Sequence, residues 1–367
     1  MPEPAAADDT FLRRLSPARL VLPVLLGLAV VGFLFWRSFT QEGFTAAELG
    51  KLLHADWHWL LITLLVLVAR DAGYVYRIRH ITGEVLSYRQ ALDVIMIWEF
   101  ASCVLPSGQG GTGAAPFILH KEGIPLGKAL ACVMVTALLD NLYYVLMVPV
   151  VVVFAYHQFY PTEALQTGFI ATLKVAFGVS YFFVTVYAGL MLYAIFVNPR
   201  SVRRLLVRLF SLRILRKLQA SAYRHGQDLV TASAQLRGSG WGYWARAAGS
   251  TAFVWTARYA IIGCLIAAFV PMDVPTFLSI FARNITYKVI LLVAITPGGA
   301  GIAEGAFPTF FGKFIGTATL TSFLVLLYRV VTFYLYLALG TFFLPRWVAR
   351  VFGAVPAQAT NPPEALS

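Results

Sequence analysis

Leu105-Pro106-Ser107-Gly108-Gln109-Gly110-Gly111-Thr112-Gly113 cuts off an apolar limb that starts at Ala91, and Thr296-Pro297-Gly298-Gly299-Ala300-Gly301 cuts off another that starts at Thr276. The first limb has only about 15 residues, roughly 22 Å of α-helix. A helix that crosses a bilayer takes about 20. The two interruptions also align with each other. Leu105-Pro106-Ser107-Gly108-Gln109-Gly110 falls on Thr296-Pro297-Gly298-Gly299-Ala300-Gly301, a glycine follows at Gly123 or Gly316, and then comes a long helix with a polar interior residue, Asp140 or Arg329. The pattern is an internal repeat whose two halves each contain a broken helix.

Around these breaks the chain is built for hydrocarbon. Of its 367 residues 59% are hydrophobic and 13% charged, with mean hydropathy +0.73. A soluble domain carries about 25% charged residues, so the missing charge means that the outer surface faces lipid. The apolar runs lack two-residue alternation and are too long for strands, which excludes an outer-membrane barrel and predicts helices. Spans are expected at Leu20–Trp36, Trp57–Tyr76, Gly127–Tyr156, Gly168–Val197, Trp241–Val270 and Ala318–Leu344. The fold class is therefore an all-α polytopic membrane protein of about six full spans plus two re-entrant helical hairpins in an inverted repeat. Residues 1–19 precede the membrane domain at 20–345, which divides into a first half (20–197), a connector (198–240) and a second half (241–345). Residues 346–367 form a tail.

The net charge of +12 sits between the spans, where it sets topology and meets anionic lipid rather than nucleic acid. Arg200–Arg237 holds nine Lys or Arg against Asp228 alone, with leucines at 205, 206, 209, 212 and 215. This spacing predicts a basic amphipathic helix on the membrane surface. Basic loops mark the cytoplasmic side. By that rule the N-terminus, the 77–89 loop, the connector and Arg346 and Arg350 are inside. The 38–56 loop, with Glu42, Glu48 and Asp56 against Lys51, and the 157–166 loop, without Lys or Arg, are outside. Segment 91–120 must then enter and return on the inner side, and 276–316 on the outer side. Insertion from opposite faces is the mark of an inverted repeat, although the length of Thr276–Thr296 also permits a full crossing.

Irregular backbone at membrane depth persists only in protein or against a wet cavity. Glycines there let backbone N–H groups approach a phosphate. Pro106, Gly108, Gly110, Gly111, Pro297, Gly298, Gly299 and Gly301 are accordingly expected at a polar-ligand site. Charged residues inside spans carry the second argument, because each costs about 2.5–3.5 kcal/mol at a helix centre on insertion scales. They are Glu99, Asp140, Arg283, Lys288, Glu304 and Arg329, with Glu304 and Arg329 read as a pair that either opens for an anionic headgroup or is purely structural. Arg70-Asp71 and Asp93 read as snorkelling or topogenic. The tryptophans at 57, 59, 241, 244, 255 and 347 read as interfacial anchors. Cys103, Cys132 and Cys264 read as small buried hydrophobes, and His120 and His225 as loop residues. No HExxH, GxSxG, Walker A or Cys/His constellation is present, so neither catalytic nor metal-binding residues nor a cofactor are expected.

Thr296-Pro297-Gly298-Gly299-Ala300-Gly301-Ile302-Ala303-Glu304-Gly305-Ala306-Phe307, with Tyr328-Arg329-Val330-Val331-Thr332-Phe333-Tyr334 and Gly340, resembles the transmembrane region of the lysylphosphatidylglycerol synthase (flippase-like) family. Pro106-Ser107-Gly108-Gln109-Gly110-Gly111 resembles that family's first-half motif. The resemblance covers about residues 20–345 and implies an inner-membrane protein whose best-understood relatives move aminoacylated phosphatidylglycerol between leaflets, with Glu304 and Arg329 at the family's usual acidic and basic positions. Thr112 and Ala115 stand where an acid and an arginine are often found, and the arginine often ahead of Asp140 is absent. The soluble synthase domain of fused members is absent as well, so no synthase activity is expected. The function expected is a lipid or glycolipid flippase that takes an anionic phospholipid or a lipid-linked sugar. The alternative is a non-transporting subunit that recruits a cytoplasmic glycosyltransferase or lipid-modifying enzyme through residues 200–237.

Overall fold

The computed structural model describes residues 55–105, 110–159, 161, 169–201, 238–291, 296 and 299–352, with scattered positions in 29–50 and 204–236. The expected first span, Pro106, Gly108, Pro297, Gly298 and most of the basic connector lie outside the described residues. Those described form helices and no strand. In chain order they are α1 (Trp57–Ile81), α2 (Tyr88–Val104), α3 (Gly110–Lys121), α4 (Leu126–Phe159), α5 (Phe169–Phe196), α6 (Trp241–Ala267), α7 (Val274–Leu291), α8 (Ile302–Ile315), α9 (Ala318–Arg329) and α10 (Leu335–Phe352), with a π-helical turn (Val330–Tyr334) joining the last two. Among the described residues, five stretches are long and apolar enough to cross a membrane: α1, α4, α5, α6 and the composite α9–α10. Their outward faces carry bare Leu64, Leu65, Phe154, Phe182 and Phe183, the surface expected against lipid rather than water.

The bundle is organised on α1 and α6, which pack closely and antiparallel. The Asp56 N–H donates to Ala268 O at one end, and the His80 ring donates to Tyr243 O at the other. Gly73 makes this approach possible, since a Cβ there would stand 2.7 Å from Val254. The packings of the two hairpins correspond between the halves. α1 meets α2 as α6 meets α7, α2 meets α3 as α7 meets α8, and α3 meets α4 as α8 meets α9. Across the halves, α2 lies on α10 as α7 lies on α4. The inverted repeat read from the two Gly-rich breaks is thus repeated in the packing.

Both broken segments fold back on themselves. In the first, Gln90 at the start of α2 donates to Glu122 beyond the end of α3, 3.0 Å apart. At the other end of this hairpin a Cβ on Gly111 would collide with Ser102 and with Trp98 O. In the second, Tyr287 Oη donates to Ala303 O at 2.7 Å near the break, and Arg283 donates to Phe310 O at 3.1 Å further down. So α7 and α8 run antiparallel as a hairpin. The first hairpin opens at the end of the bundle where the basic connector joins α5 to α6. The second opens at the opposite end, near Asp56 and Asp273. The His58 amide at Asp56, and the Thr276 hydroxyl and amide at Asp273, hold both carboxyls below the usual range.

Several sequence expectations change. The reading that ends the second span at Tyr76 gives Arg77 to a basic loop, but α1 continues to Ile81 and buries Arg77. Arg70 does not snorkel. It is fully buried, bonded to Asp71 Oδ1 at 2.7 and 3.0 Å and to the Tyr336 hydroxyl. Trp255 and Trp347 are no interfacial anchors: their indole N–H groups donate inward, to Asp140 and to Glu122. His120 lies in α3, not in a loop. The last helix passes the expected boundary at 345 and runs to Phe352. There Arg350 bridges Glu122 and Asp93, binding the base of the first hairpin to α10.

Candidate functional site

A polar cavity of about 130 Å³ lies between the first hairpin and helices α1, α4 and α6. α1 supplies Tyr74 and Arg77, α2 supplies Trp98, Glu99 and Ser102, and α3 supplies Thr112. α4 contributes Thr136, Asp140 and Tyr144, and α6 contributes Trp255 and Arg258. The helical period explains the assembly: Tyr74 and Arg77, Glu99 and Ser102, and Trp255 and Arg258 are each three apart and so share a face. Gly111 lets the return limb press on α2, which brings the adjacent Thr112 to the cavity.

The charged lining forms two ion pairs across helices. Arg258 grips both oxygens of Glu99, at 3.0 and 3.2 Å, and also donates to the Tyr74 hydroxyl at 3.1 Å. Arg77 pairs with Asp140, whose same oxygen takes the Trp255 indole N–H at 2.6 Å. Tyr74 presents its ring to both arginines, and Trp255 lies 5.3 Å from the Arg258 guanidinium. These are cation–π contacts that help orient the guanidinium groups. The side chains of the Arg258–Glu99 pair are 26% and 11% exposed, so this pair can be reached from the cavity.

The second break is built differently. Gly301 and Gly299 hold φ of +84° and +68°, a region open to glycine and strained for other residues. Glu304 accepts the Gly301 N–H at 2.8 Å and so caps α8 from its third position. Its other oxygen meets Arg329 Nε at 2.8 Å, with side chains 0% and 6% exposed. Arg329 also lies 4.0 Å from the Phe333 ring, beside the π-helical turn.

Of the residues expected at the site, Glu99 and Asp140 therefore line the cavity, with Gly111 supporting it. Gly110 opens α3. Glu304 and Arg329 do pair, as expected, but they and Arg283, Lys288, Gly299 and Gly301 stand outside this lining. Lys288 lies over the rings of Tyr287 and Tyr328. The residues that sequence reasoning missed are Arg77, Arg258, Tyr74, Tyr144, Trp98 and Trp255. Arg258 carried a usable signal, since it is a charge inside the apolar run Trp241–Val270, like those that were flagged. Arg77 also supplies from α1 the cation that the sequence lacks ahead of Asp140.

The comparisons with known proteins agree with this architecture. A UPF0104 membrane protein of Archaeoglobus fulgidus is 23% identical over 325 residues, which cover 86% of this chain and 92% of the relative. The family model described as "Lysylphosphatidylglycerol synthase TM region" matches residues 24–340, from within the expected first span to Gly340 in α10. On the strength of that match, the chain belongs to the lysylphosphatidylglycerol synthase transmembrane-region family.

Proposed function

We propose that the protein is a flippase of the inner membrane, with its basic end in the cytoplasm, that passes the anionic headgroup of a phospholipid or lipid-linked sugar through the cavity beside the first hairpin. The observation that carries this reading is a cavity within the bundle holding two arginines, each paired with an acid on another helix. Charge at this depth is costly and marks a pathway or a binding site. The guanidinium fork matches phosphate and carboxylate geometry. A volume of about 130 Å³ is small beside the ~300–1,000 Å³ of ordinary small-molecule sites. It suits a headgroup whose acyl chains stay in the bilayer. Glu99 and Arg258 receive the headgroup, Arg77 and Asp140 form the second station, and Glu304 with Arg329 fixes the second hairpin.

Leaflet exchange of a fluorescent phosphatidylglycerol in proteoliposomes tests the proposal. Arg258→Ala should slow it about 10- to 100-fold, the scale of losing charge-assisted hydrogen bonds. Exchange no faster in wild-type vesicles than in protein-free ones, or unchanged in Arg258→Ala, would remove the reading.

A further inference from the structure

The four charged groups of the cavity sum to zero, because Glu99 is bound to Arg258 and Asp140 to Arg77. An anionic headgroup needs guanidinium N–H donors, and Arg258 Nη2 and Arg77 Nη1 are already engaged by the carboxylates. To take the Arg258 Nη2 donors it must displace Glu99. A carboxylate stripped of its cation inside a low-dielectric bundle carries a large desolvation penalty, which protonation abolishes.

The two acids are not equivalent. When Arg77 turns away, Asp140 keeps the Trp255 indole N–H at 2.6 Å. Glu99 takes both of its side-chain hydrogen bonds from Arg258. Arg258 is also the more accessible arginine, 26% exposed against 5% for Arg77. Exchange therefore falls on Glu99.

The other cations facing Glu99 attract it through space, while its hydrogen bonds come from Arg258. α1 presents Arg70, Tyr74 and Arg77, α4 presents Asp140, α10 presents Tyr336, and Cys103 lies one turn on in α2. Arg70 is held by Asp71 and Tyr336, and Arg77 by Asp140. Lys288 stands outside the lining against Tyr328, and Arg329 is paired with Glu304.

We infer that binding of an anionic headgroup at this cavity is linked to uptake of one proton by Glu99, so that lipid and proton move together. The anion takes the Arg258 N–H donors, and the freed Glu99 carboxylate takes the proton from water. The inference rests on the cavity being a headgroup site. In the sign that follows, the liganded state holds one more proton than the free state, and affinity therefore falls as pH rises, by up to about tenfold per pH unit.

Isothermal titration calorimetry of the detergent-solubilised full-length protein tests the link. The probe is dihexanoyl-phosphatidylglycerol, a phosphodiester that stays ionised from pH 5.5 to 7.5. Titrations in buffers of different ionisation enthalpy count protons directly. Wild type should take up about one proton per lipid, and Glu99→Gln should bind with no uptake and a flat pH profile. Asp140→Asn should keep the uptake. The wild-type count stands without any variant, so a Glu99→Gln protein that fails to fold leaves the test intact. Binding without proton uptake overturns the linkage and spares the headgroup site. No binding at any pH, in protein that melts cooperatively, removes the headgroup site and the linkage together. Glycerophosphoglycerol, the headgroup alone, is the second arm: binding weaker than the lipid's with the same uptake supports a lipid site, and equal binding overturns the lipid assignment.

Discussion

The two hairpins present the same device in two settings. At the first, an arginine–carboxylate pair lines a cavity with a quarter of the arginine side chain exposed, and a second pair stands beside it. At the second, Glu304 and Arg329 are sealed, and the carboxylate spends its other oxygen on capping α8 through Gly301. Chain length and break chemistry are alike, so the difference comes from what packs around each pair. Phe307, Phe310, Phe311 and Tyr328 close the second hairpin. Tyr74, Trp98, Tyr144 and Trp255 leave space at the first. A buried ion pair is weak evidence for function, because it costs much to break and little to replace. A half-open one across a cavity can exchange its partner for a ligand.

The comparison can be broken in stability first. Arg329→Ala leaves Glu304 buried and uncompensated and should cost about 3–5 kcal/mol, read as a lowered melting temperature in detergent. Glu304→Leu combined with Arg329→Met should recover most of that loss, as expected for a structural pair. Arg258→Ala, at the half-open pair, should lose much less stability while exchange falls. A melt as depressed as that of Arg329→Ala would erase the distinction.

Smaller effects sharpen the packing side. Gly340 of α10 sits against the Phe100 ring of α2, where a Cβ would enter the ring. Gly340→Ala should therefore cost about 1–3 kcal/mol by overpacking, seen as the first hairpin becoming protease-sensitive. Ser87 closes a capping box with Gln90 at the start of α2. Ser87→Ala should cost about 1 kcal/mol and leave lipid exchange unchanged, since the cap lies far from the cavity lining.

Much of the fold was legible because it is written in local chemistry. Proline and glycine interrupt the apolar runs at two aligned places, and the basic connector marks one end. The pairing of α7 with α8 rests on contacts invisible in sequence, Tyr287 to Ala303 and Arg283 to Phe310. The site was half legible. Glu99 and Asp140 stand out as acids in apolar runs, but their arginines lie 159 and 63 residues away along the chain, and pairing at that separation is a property of the fold. Arg77 was hidden by a span boundary drawn where hydropathy fades, although the helix and its burial continue. Trp255 and Trp347 show the same limit. An indole that anchors at an interface and one that donates to a buried carboxylate are identical in sequence.

The first hairpin borders the polar cavity, whereas the ion pair of the second is sealed. Cysteine accessibility measures this directly, with single cysteines at Ser102 and Ala303 in protein whose Cys103, Cys132 and Cys264 are replaced by alanine. A small water-soluble methanethiosulfonate should modify Ser102→Cys rapidly in proteoliposomes, more slowly when phosphatidylglycerol is present, and leave Ala303→Cys untouched. Equal labelling at both positions, or labelling of Ala303→Cys alone, would contradict the account.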